Sequence, residues 1–333
     1  MNKDYLLGVD GGNTKTDFML FDAQGNFVDY LRTGTCSHEA LKGSYSAAKA
    51  ELDRHLTALC EKNNISRTEI AASVFGLAGI DTIVQKERMT AILTELGVCN
   101  FVAINDSFLS IKSVSRDGTG ICSINGTGTV TGGIDRKQNY LQVGGIGAAV
   151  GDSGGGRFFA EQTIRAVYNQ IFRNGIATSM TKPLLSLLGV SDEGCLMAEI
   201  SDKFYGKKIK DLEFMKILFL AANESDPAAL SIVKSAAVEL ANSVIGCARR
   251  LDFGGEIHII TAGSIWVKCE TPILYERFCS HIKNTLAQNC KFVTPDLPPI
   301  CGAVNWAFQL YEGIDRGCMR MESIHEAIAR VIA

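Results

Sequence analysis

The sequence predicts an α/β protein made of two similar domains, and three observations lead to this prediction. The chain has 333 residues, which is more than one domain usually holds. Short apolar segments with strand character alternate with longer segments of helical periodicity. Two stretches, residues 6–22 and 119–143, share one pattern of strand, glycine-bearing turn and strand. We place the domain boundary at Arg116 and Asp117, which gives a first domain over residues 1–116 and a second over 117–315.

The first of the two stretches ends its first strand in a turn that is rich in hydrogen-bond donors. Gly11 and Gly12 lack a Cβ, so the backbone can turn sharply and approach a ligand closely. Three residues with amide, hydroxyl and ammonium donors follow: Asn13, Thr14 and Lys15. Such a tip suits a phosphate group, although an ordinary tight turn has the same composition. Asp10, at the end of the first strand, is placed to hold a hydrated Mg²⁺ beside those phosphates.

The second stretch repeats this arrangement, with a small-residue turn at residues 125–129 and a strand that ends at Asp135. Gly126, Thr127 and Gly128 form the centre of the turn. Alone, this segment is a common glycine-rich hairpin. Two such hairpins in one chain favour two domains that face each other with phosphates between the tips. The chain contains no Gly-x-x-x-x-Gly-Lys-Ser/Thr segment, so it is not a P-loop NTPase.

Helices and strands alternate through most of the remaining chain. Apolar spacing and capping residues predict helices over residues 39–62, 82–96, 107–115, 157–170, 271–287 and 322–332, with further helices starting at Pro227 and after Pro299. Strands are predicted over residues 70–77, 101–105, 256–261 and 291–293. This alternation indicates parallel strands beyond each hairpin, and ligands bind outside the carboxyl ends of such strands.

Asp106 directly follows a predicted strand and therefore lies at the ligand-binding edge of the sheet. A carboxylate there, partly screened from water, can accept the proton of an acceptor hydroxyl as a phosphoryl group arrives. An N-cap of the following helix is an equally good interpretation of an aspartate at this position. The residue pattern leaves both roles open.

The most glycine-dense stretch, residues 144–156, contains Asp152 in a Gly-Asp-Ser-Gly-Gly segment. That segment resembles the surroundings of the nucleophile in trypsin-like proteases, but a reduced α/β chain is not their disulfide-bearing β-barrel. We interpret Asp152 as a carboxylate that faces a polyol, or as a helix N-cap. After a later strand, a small-residue turn can let an adenine lie against its backbone, and it consists of Ala262, Gly263 and Ser264. For His38, beside a glycine-bearing loop, a surface or helix-start position is the favoured interpretation.

Composition excludes several classes of protein. The net charge of −3 provides no basic face for nucleic acid, and no run of about 18 apolar residues indicates a membrane span. None of the 11 cysteines forms a Cys-x-x-Cys pair, and no spacing suggests a transition-metal site. Free cysteines fit a reducing cytoplasm, and the early first strand leaves no room for a signal peptide.

Taken in order, these motifs resemble the sugar kinase/heat-shock ATPase/actin superfamily and, more narrowly, the BadF/BadG/BcrA/BcrD ATPase family, which contains N-acetylglucosamine kinase. The resemblance covers nearly the whole chain and rests on residues 8–15, 105–106, 125–129, 144–158, 262–264 and 299–303. It implies two ribonuclease-H-like domains of the actin-like ATPase type, which flank a cleft for ATP and Mg²⁺. It further implies that Asp106 is the base in phosphoryl transfer to a sugar hydroxyl, and that residues 316–333 form a helix packed back on the first domain.

The resemblance also implies which residues contact each ligand. The nucleotide contacts are Gly11, Gly12, Asn13, Thr14, Lys15, Gly126, Thr127, Gly128, Ala262, Gly263 and Ser264, with Asp10 near Mg²⁺. The sugar contacts are Ser37, His38, Asp106, Thr129, Val130, Gly145, Ile146, Gly147 and Asp152. Three of these places depart from the mammalian N-acetylglucosamine kinases, where Ser37 is Asn, Thr129-Val130 is Ser-Asn, and Ile146 is Trp. The identity of the sugar and of the phosphorylated hydroxyl therefore stays open.

Two other functions compete with a kinase. The ATPase activators of 2-hydroxyacyl-CoA dehydratases and benzoyl-CoA reductases belong to the same family and carry a [4Fe–4S] cluster between two subunits. Residues 143–162 lack the cysteine that activators have near their glycine motif. A non-catalytic sugar sensor or an actin-like protein is the third possibility, without an appended DNA-binding module because the chain starts at the first strand. The oligomeric state is open, with a homodimer as one option.

Overall fold

The computed structural model describes residues 4–269 and 271–332 and contains two five-stranded sheets. The first sheet consists of β1 (Tyr5–Gly11), β2 (Lys15–Asp22), β3 (Phe27–Gly34), β4 (Ile70–Leu77) and β5 (Phe101–Ile104). The second consists of β6 (Gly120–Asn125), β7 (Thr129–Ile134), β8 (Tyr140–Gly144), β9 (Ile257–Ala262) and β10 (Cys290–Val293). Their strand orders are β3-β2-β1-β4-β5 and β10-β9-β6-β7-β8.

The two sheets have the same topology. In each, an antiparallel meander of three strands is extended by two parallel strands next to its first strand. The repeated topology confirms the predicted α/β fold with two similar halves. Because the topology is repeated, the tip between β1 and β2 and the tip between β6 and β7 occupy equivalent places in their sheets.

Helices cover both faces of the sheets. They are α1 (Ser44–Asn63), α2 (Ile83–Glu95), α3 (Leu109–Val114), α4 (Gly156–Phe172), α5 (Thr181–Leu188), α6 (Leu196–Glu199), α7 (Asp211–Asn223), α8 (Pro227–Arg250), α9 (Ser264–Lys268), α10 (Pro272–Thr285), α11 (Ile300–Glu312), α12 (Ile314–Met319) and α13 (Met321–Ile332). A π-helix (Ile200–Tyr205) continues α6, and 3₁₀ turns lie at Arg67–Glu69, Asp106–Phe108, Ala148–Val150 and Glu193–Cys195. As predicted, α8 begins at Pro227 behind the N-cap Asp226, whose carboxylate accepts the N–H of Ala229 at 2.9 Å.

Most predicted elements are present, with differences at their ends. Helix α1 starts at Ser44, five residues later than predicted, because Gly43 adopts φ 106° and interrupts the helical backbone. The helix predicted over residues 107–115 is a 3₁₀ turn followed by α3. Ser264, predicted as the last residue of a turn, is instead the first residue of the short helix α9.

A shared inner layer joins the two sheets. Helices α3 and α11 lie between them, in an apolar cluster with Leu6 and Val74 from the first sheet and Cys122 and Ile260 from the second. Gly302 of α11 passes so close to α3 that a Cβ there would lie 1.8 Å from the Leu109 carbonyl oxygen. The outer faces are covered separately, the first sheet by α1 and α2 and the second by α4, α7, α8 and α10.

The C-terminal residues pack on the first sheet. Ile324 and Ile328 of α13 are fully buried in the same cluster as Leu6. The return to the first sheet starts earlier, at α11, which packs against β1 and β4. The limits of the two domains, 1–116 and 117–315, stay a prediction.

One helix in the described residues, α8, is long and apolar enough to span a membrane by length and composition alone. Its apolar side includes Val233, Ala237 and Val244, all fully buried in the core of the second domain. A core helix of a globular domain meets the same criteria, so the feature has an ordinary explanation here.

Candidate functional site

Both hairpin tips line one cavity of about 490 Å³, between the carboxyl ends of the parallel strands of the two sheets. Eleven residues predicted from the sequence line it: Asn13, Thr14, Asp106, Gly126, Thr127, Gly128, Thr129, Val130, Gly145, Gly147 and Asp152. We refer to this space as the acceptor cavity. It brings together the two predicted phosphate loops, the predicted base and most of the predicted sugar contacts.

A second cavity of about 590 Å³ adjoins the first, and we refer to it as the nucleoside cavity. Of the predicted nucleoside contacts, Ser264 lines it, while Ala262 is buried at the end of β9. Gly263 packs on the base of the second hairpin, where a Cβ would lie 2.5 Å from the Asn125 carbonyl oxygen. The two cavities share three residues, Gly126, Thr127 and Arg157. A triphosphate that reaches from one cavity to the other would pass these residues.

The first hairpin presents its donors to solvent on a fixed turn. Asn13, Thr14 and Lys15 are exposed, and the Gly12 N–H donates to the Lys15 carbonyl oxygen at 2.9 Å. The Thr35 hydroxyl donates to the Gly12 carbonyl oxygen at 2.8 Å and holds the turn from the side. A Cβ at Gly11 would lie 2.5 Å from Leu77 Cδ2, so a larger residue there would displace that side chain. Gly11, Gly12 and Lys15 do not line either cavity.

Asp106 is the first residue of the 3₁₀ turn before α3, and its neighbour Asn105 is the N-cap. The Asn105 side-chain oxygen accepts the Ser107 N–H at 2.9 Å. The N-cap is therefore Asn105 and not Asp106, and Asp106 lines the acceptor cavity. Burial raises the pKa of Asp106 to about 6, and the nearby charge of Asp81 contributes to this rise. A carboxyl group with such a pKa is ionised at neutral pH and is a stronger base than an exposed aspartate.

Asp10 lies half-buried at the end of β1, within the electrostatic range of Asp106. Burial, followed by the charges of Asp106 and Asp17, raises the pKa of Asp10 to about 8. The described residues contain no group of three or more His, Cys, Asp and Glu side chains that could bind a metal ion alone. Two neighbouring carboxylates that repel each other fit a cation held mainly by phosphate oxygens and water, with Asp10 in support.

Asp152 organises the glycine-rich loop after β8. One oxygen of its carboxylate accepts the N–H of Gly145 at 2.9 Å and the N–H of Gly147 at 2.6 Å. The N-cap of α4 is Gly155 and has no side-chain cap, so the interpretation of Asp152 as the helix cap is wrong. Asp152 instead folds the loop and also lines the acceptor cavity.

Three predicted sugar residues do not line the acceptor cavity. Ser37 is buried behind its wall, where its hydroxyl donates to the Ala78 carbonyl oxygen at 3.3 Å. His38 is buried and stacks on Tyr45 with ring centroids 4.2 Å apart, so the interpretation as a surface histidine is wrong. Ile146 lies beyond the cavity wall and its side chain is 63% exposed.

Sequence reasoning missed several lining residues. Glu39, Asp81, Asn105, Phe158 and Glu161 line the acceptor cavity, Arg157 lines both cavities, and Met215, Lys216, Phe219 and Leu220 of α7 line the nucleoside cavity. The rule that led to Asp106 could have found Asp81, which also follows the end of a parallel strand. No comparable signal marked α7, which reaches the nucleoside cavity only because it packs on α4.

Comparisons with known proteins give the family and the structural relatives of this chain. Residues 7–307 match the BadF/BadG/BcrA/BcrD ATPase family. N-acetyl-D-glucosamine kinase from Dictyostelium discoideum is 27% identical over 258 residues, which cover 74% of this chain and 80% of that protein. N-acetylmuramic acid/N-acetylglucosamine kinase from Clostridium acetobutylicum is 26% identical over 270 residues, which cover 78% and 85%. A crystal structure of a candidate N-acetylglucosamine kinase from Chromobacterium violaceum has the same fold, with a TM-score of 0.65 at 18% identity over 93% of this chain and all of the other.

Proposed function

The chain belongs to the BadF/BadG/BcrA/BcrD ATPase family, and on that premise we propose that it is an ATP-dependent kinase of an amino sugar or a related small polyol. One observation supports this proposal above the others. The tips of two equivalent hairpins line one cavity, and Asp106 lines the same cavity between the two sheets. Phosphoryl transfer needs this arrangement, in which donors hold the phosphates while a base faces the acceptor.

In the proposed reaction, Asp106 accepts the proton of the sugar hydroxyl that attacks the γ-phosphoryl group. Donors from Asn13 and Thr14 on one side and from Thr127 on the other hold the phosphates in line with that hydroxyl. Arg157, whose guanidinium pairs with Glu161 and Asp211, lies where the two cavities meet and can contribute a hydrogen-bond donor to the phosphates. A Mg²⁺ ion bound with ATP would neutralise charge on the phosphates, with Asp10 beside it. Closure of the two domains on the sugar would exclude water from the cavity.

The relatives favour an amino sugar as the acceptor, since both are named for N-acetylglucosamine. Glu39, Asp106 and Asp152 line the cavity and can accept hydrogen bonds from sugar hydroxyls. The Val130 side chain offers no polar atom to an acetamido group. We therefore propose N-acetylglucosamine or glucosamine, and the departure at Val130, which lines the cavity, is the place where the preference would be decided.

The composition supports the remaining proposals. The net charge of −3 and the reduced cysteines fit a cytoplasmic enzyme that acts on a small molecule without nucleic-acid or membrane partners. A homodimer is compatible with this proposal.

The test is a Mg²⁺-dependent ADP-release assay with glucosamine, N-acetylglucosamine, N-acetylmannosamine, glucose and small polyols. We expect ADP release to depend on one amino sugar and to be stoichiometric with a phosphorylated product. ADP release without any acceptor dependence would instead support an ATPase. Sugar binding without turnover would support a sensor. Protein purified without air should be colourless and free of iron, which separates a kinase from a cluster-bearing activator.

A further inference from the structure

Asp81 lies four residues beyond β4, in the turn into α2, and lines the acceptor cavity. Its backbone N–H donates to Gln85 Oε1 at 2.9 Å, and the neighbouring Thr82 caps α2. The backbone of this aspartate is therefore fixed by the start of a helix. The carboxylate extends from this fixed point to the wall of the cavity.

One oxygen of this carboxylate receives two hydrogen bonds from different sheets. Asp81 Oδ1 accepts Asn105 Nδ2 at 3.0 Å, from the end of the first sheet. It also accepts Gln142 Nε2 at 2.7 Å, from β8 of the second sheet. Burial is the largest cause that raises the pKa of Asp81, and the charges of Glu39 and Asp152 add to it. An ionised group in such surroundings is held at an electrostatic cost, which hydrogen bonds offset.

Each of the two donors leads to a functional part of the cavity. Asn105 precedes Asp106, and its side-chain oxygen is already bonded to the Ser107 N–H, so both ends of the amide are held. Gln142 precedes the glycine-rich loop and donates a second, longer bond to the Gly144 carbonyl oxygen at 3.3 Å. Gly145 approaches both partners so closely that a Cβ would lie 3.0 Å from Asp81 Oδ1.

We propose that Asp81 is a positioning residue that aligns the base Asp106 and ties this alignment to the sugar loop of the opposite domain. The inference rests on the proposed kinase function. When the domains move, Gln142 moves relative to Asn105, and the shared carboxylate oxygen is the atom on which both bonds converge. Occupation of the loop by sugar is thereby coupled to the orientation of the base. A misalignment of about 1 Å at such a site can reduce the rate about 100-fold.

Four variants separate the two bonds. Asp81→Ala removes both, and we expect kcat to fall about 10- to 100-fold and the sugar KM to rise. Asp81→Asn keeps an oxygen that accepts both bonds, and we expect it to restore kcat to within about 5-fold of the unmodified chain. Gln142→Leu removes only the hydrogen bond between Asp81 and the strand that leads into the glycine-rich loop. We expect it to raise the sugar KM with little change in kcat. Asn105→Ser keeps a capping hydroxyl but cannot reach Asp81, and should lower kcat.

Coupling is tested with the double variant Asp81→Ala/Gln142→Leu. If Asp81 and Gln142 act through the hydrogen bond that joins them, the sugar KM of the double variant should be no higher than that of Asp81→Ala alone. Additive effects of the two substitutions on KM would overturn the proposal. The affinity for ATP, measured by calorimetry without sugar, should stay within about 2-fold in all variants because neither bond reaches the nucleoside cavity.

Asp135→Ala is the matched control. Asp135 is a buried carboxylate at the opposite end of β7 and accepts the N–H groups of Lys137 and Asn139, so its loss should lower the melting temperature without changing kcat or KM. If Asp81→Ala behaves like this control, or if Asp81→Asn is as impaired as Asp81→Ala, the positioning role is wrong. If Asp81→Ala does not fold, Asp81→Asn and Gln142→Leu carry the same test. If the unmodified chain releases no ADP with any sugar, the proposed function fails instead.

Discussion

The two hairpin tips have similar sequences and equivalent places in their sheets, but they are held in different ways. The first tip, residues 11–15, projects from the sheet and is supported by side chains. Thr35 bonds to its backbone, and the strand below it is fixed by Asp17, which accepts bonds from Arg32 Nε at 2.6 Å and the Tyr30 hydroxyl at 2.8 Å. Its stability therefore depends on particular polar side chains.

The second tip, residues 125–129, is held by backbone packing between glycines. The Gly156 N–H donates to the Gly126 carbonyl oxygen at 2.9 Å, which joins the tip to the start of α4. A Cβ at Gly155 would lie 2.7 Å from the Thr127 carbonyl oxygen, and one at Gly263 would lie 2.5 Å from that of Asn125. The comparison shows that the same motif can be fixed either by side-chain hydrogen bonds or by backbone packing. Different substitutions should therefore destabilise the two tips.

The largest effect is expected where the two tips act together, at Asp106. Asp106→Asn keeps the size and most hydrogen bonds of the side chain but cannot accept the hydroxyl proton. We expect kcat to fall by about 10² to 10⁴, while calorimetry shows ATP binding unchanged. Unchanged turnover would remove Asp106 from the mechanism and leave the tips as a nucleotide-binding device without this base.

The backbone packing that holds the second tip is tested by comparing the variants Gly263→Ala and Gly128→Ala. Gly263 has φ 101° and no room for a Cβ, so the substitution should displace the tip and lower ATP affinity at least about 10-fold, or about 1.4 kcal/mol. Gly128 lies at the apex of the same tip, where an added Cβ would meet no protein atom within 4 Å, and its substitution should lower the affinity less than Gly263→Ala does. Calorimetry with ATP measures both, and equal losses would contradict a packing requirement specific to Gly263.

The pH profile should reflect the surroundings of Asp106. Since the pKa of Asp106 is raised to about 6 and the ionised form is the base, protonation of this group should limit kcat/KM below that pH. The value of kcat/KM should decrease about tenfold per unit as the pH falls below about 6. The measurement is sugar-dependent ADP release between about pH 5 and 8, the range in which most proteins are stably folded. If kcat/KM instead begins to decrease only near about pH 4, the pKa of an exposed aspartate, the carboxyl group is more hydrated than its position in this structure indicates.

The smallest effect is expected when a side-chain hydrogen bond that supports the first tip is removed. Thr35→Val removes the bond to the Gly12 carbonyl oxygen and should cost about 1 kcal/mol of stability and a few-fold in the KM for ATP. Thr33→Val is the control, because the Thr33 hydroxyl donates to the Gly34 carbonyl oxygen and not to the tip. An equal rise in KM for ATP in both variants would show that the first tip does not depend on Thr35.

The features that the sequence predicted are those that local patterns determine. Alternating apolar residues and glycine turns mark the two hairpins, and Pro227 behind Asp226 marks a helix start, because these depend on neighbouring residues alone. The placements of Ser37, His38 and Ile146 were not determined in this way. His38 is buried because Tyr45, seven positions later, turns back to stack on it.

The missed residues depend on contacts between distant segments. Asp81 is functional in our proposal because Asn105 and Gln142, from two different sheets, converge on one of its oxygens. Arg157 faces both cavities because the start of α4 is joined to the second tip. No local window of sequence contains both partners of such contacts, so only the folded arrangement reveals them.

The inner layer of α3 and α11 has a consequence for biosynthesis. The first sheet contains residues 5–104, yet the helices that cover its inner face include residues 300–312 and 321–332. During synthesis, the apolar inner face of this sheet, including Leu6 and Val74, therefore stays uncovered by these helices until residues 300–332 have left the ribosome. The first sheet can complete its inner layer only after these helices have been synthesised, and a chaperone that shields this face would be useful in the interval.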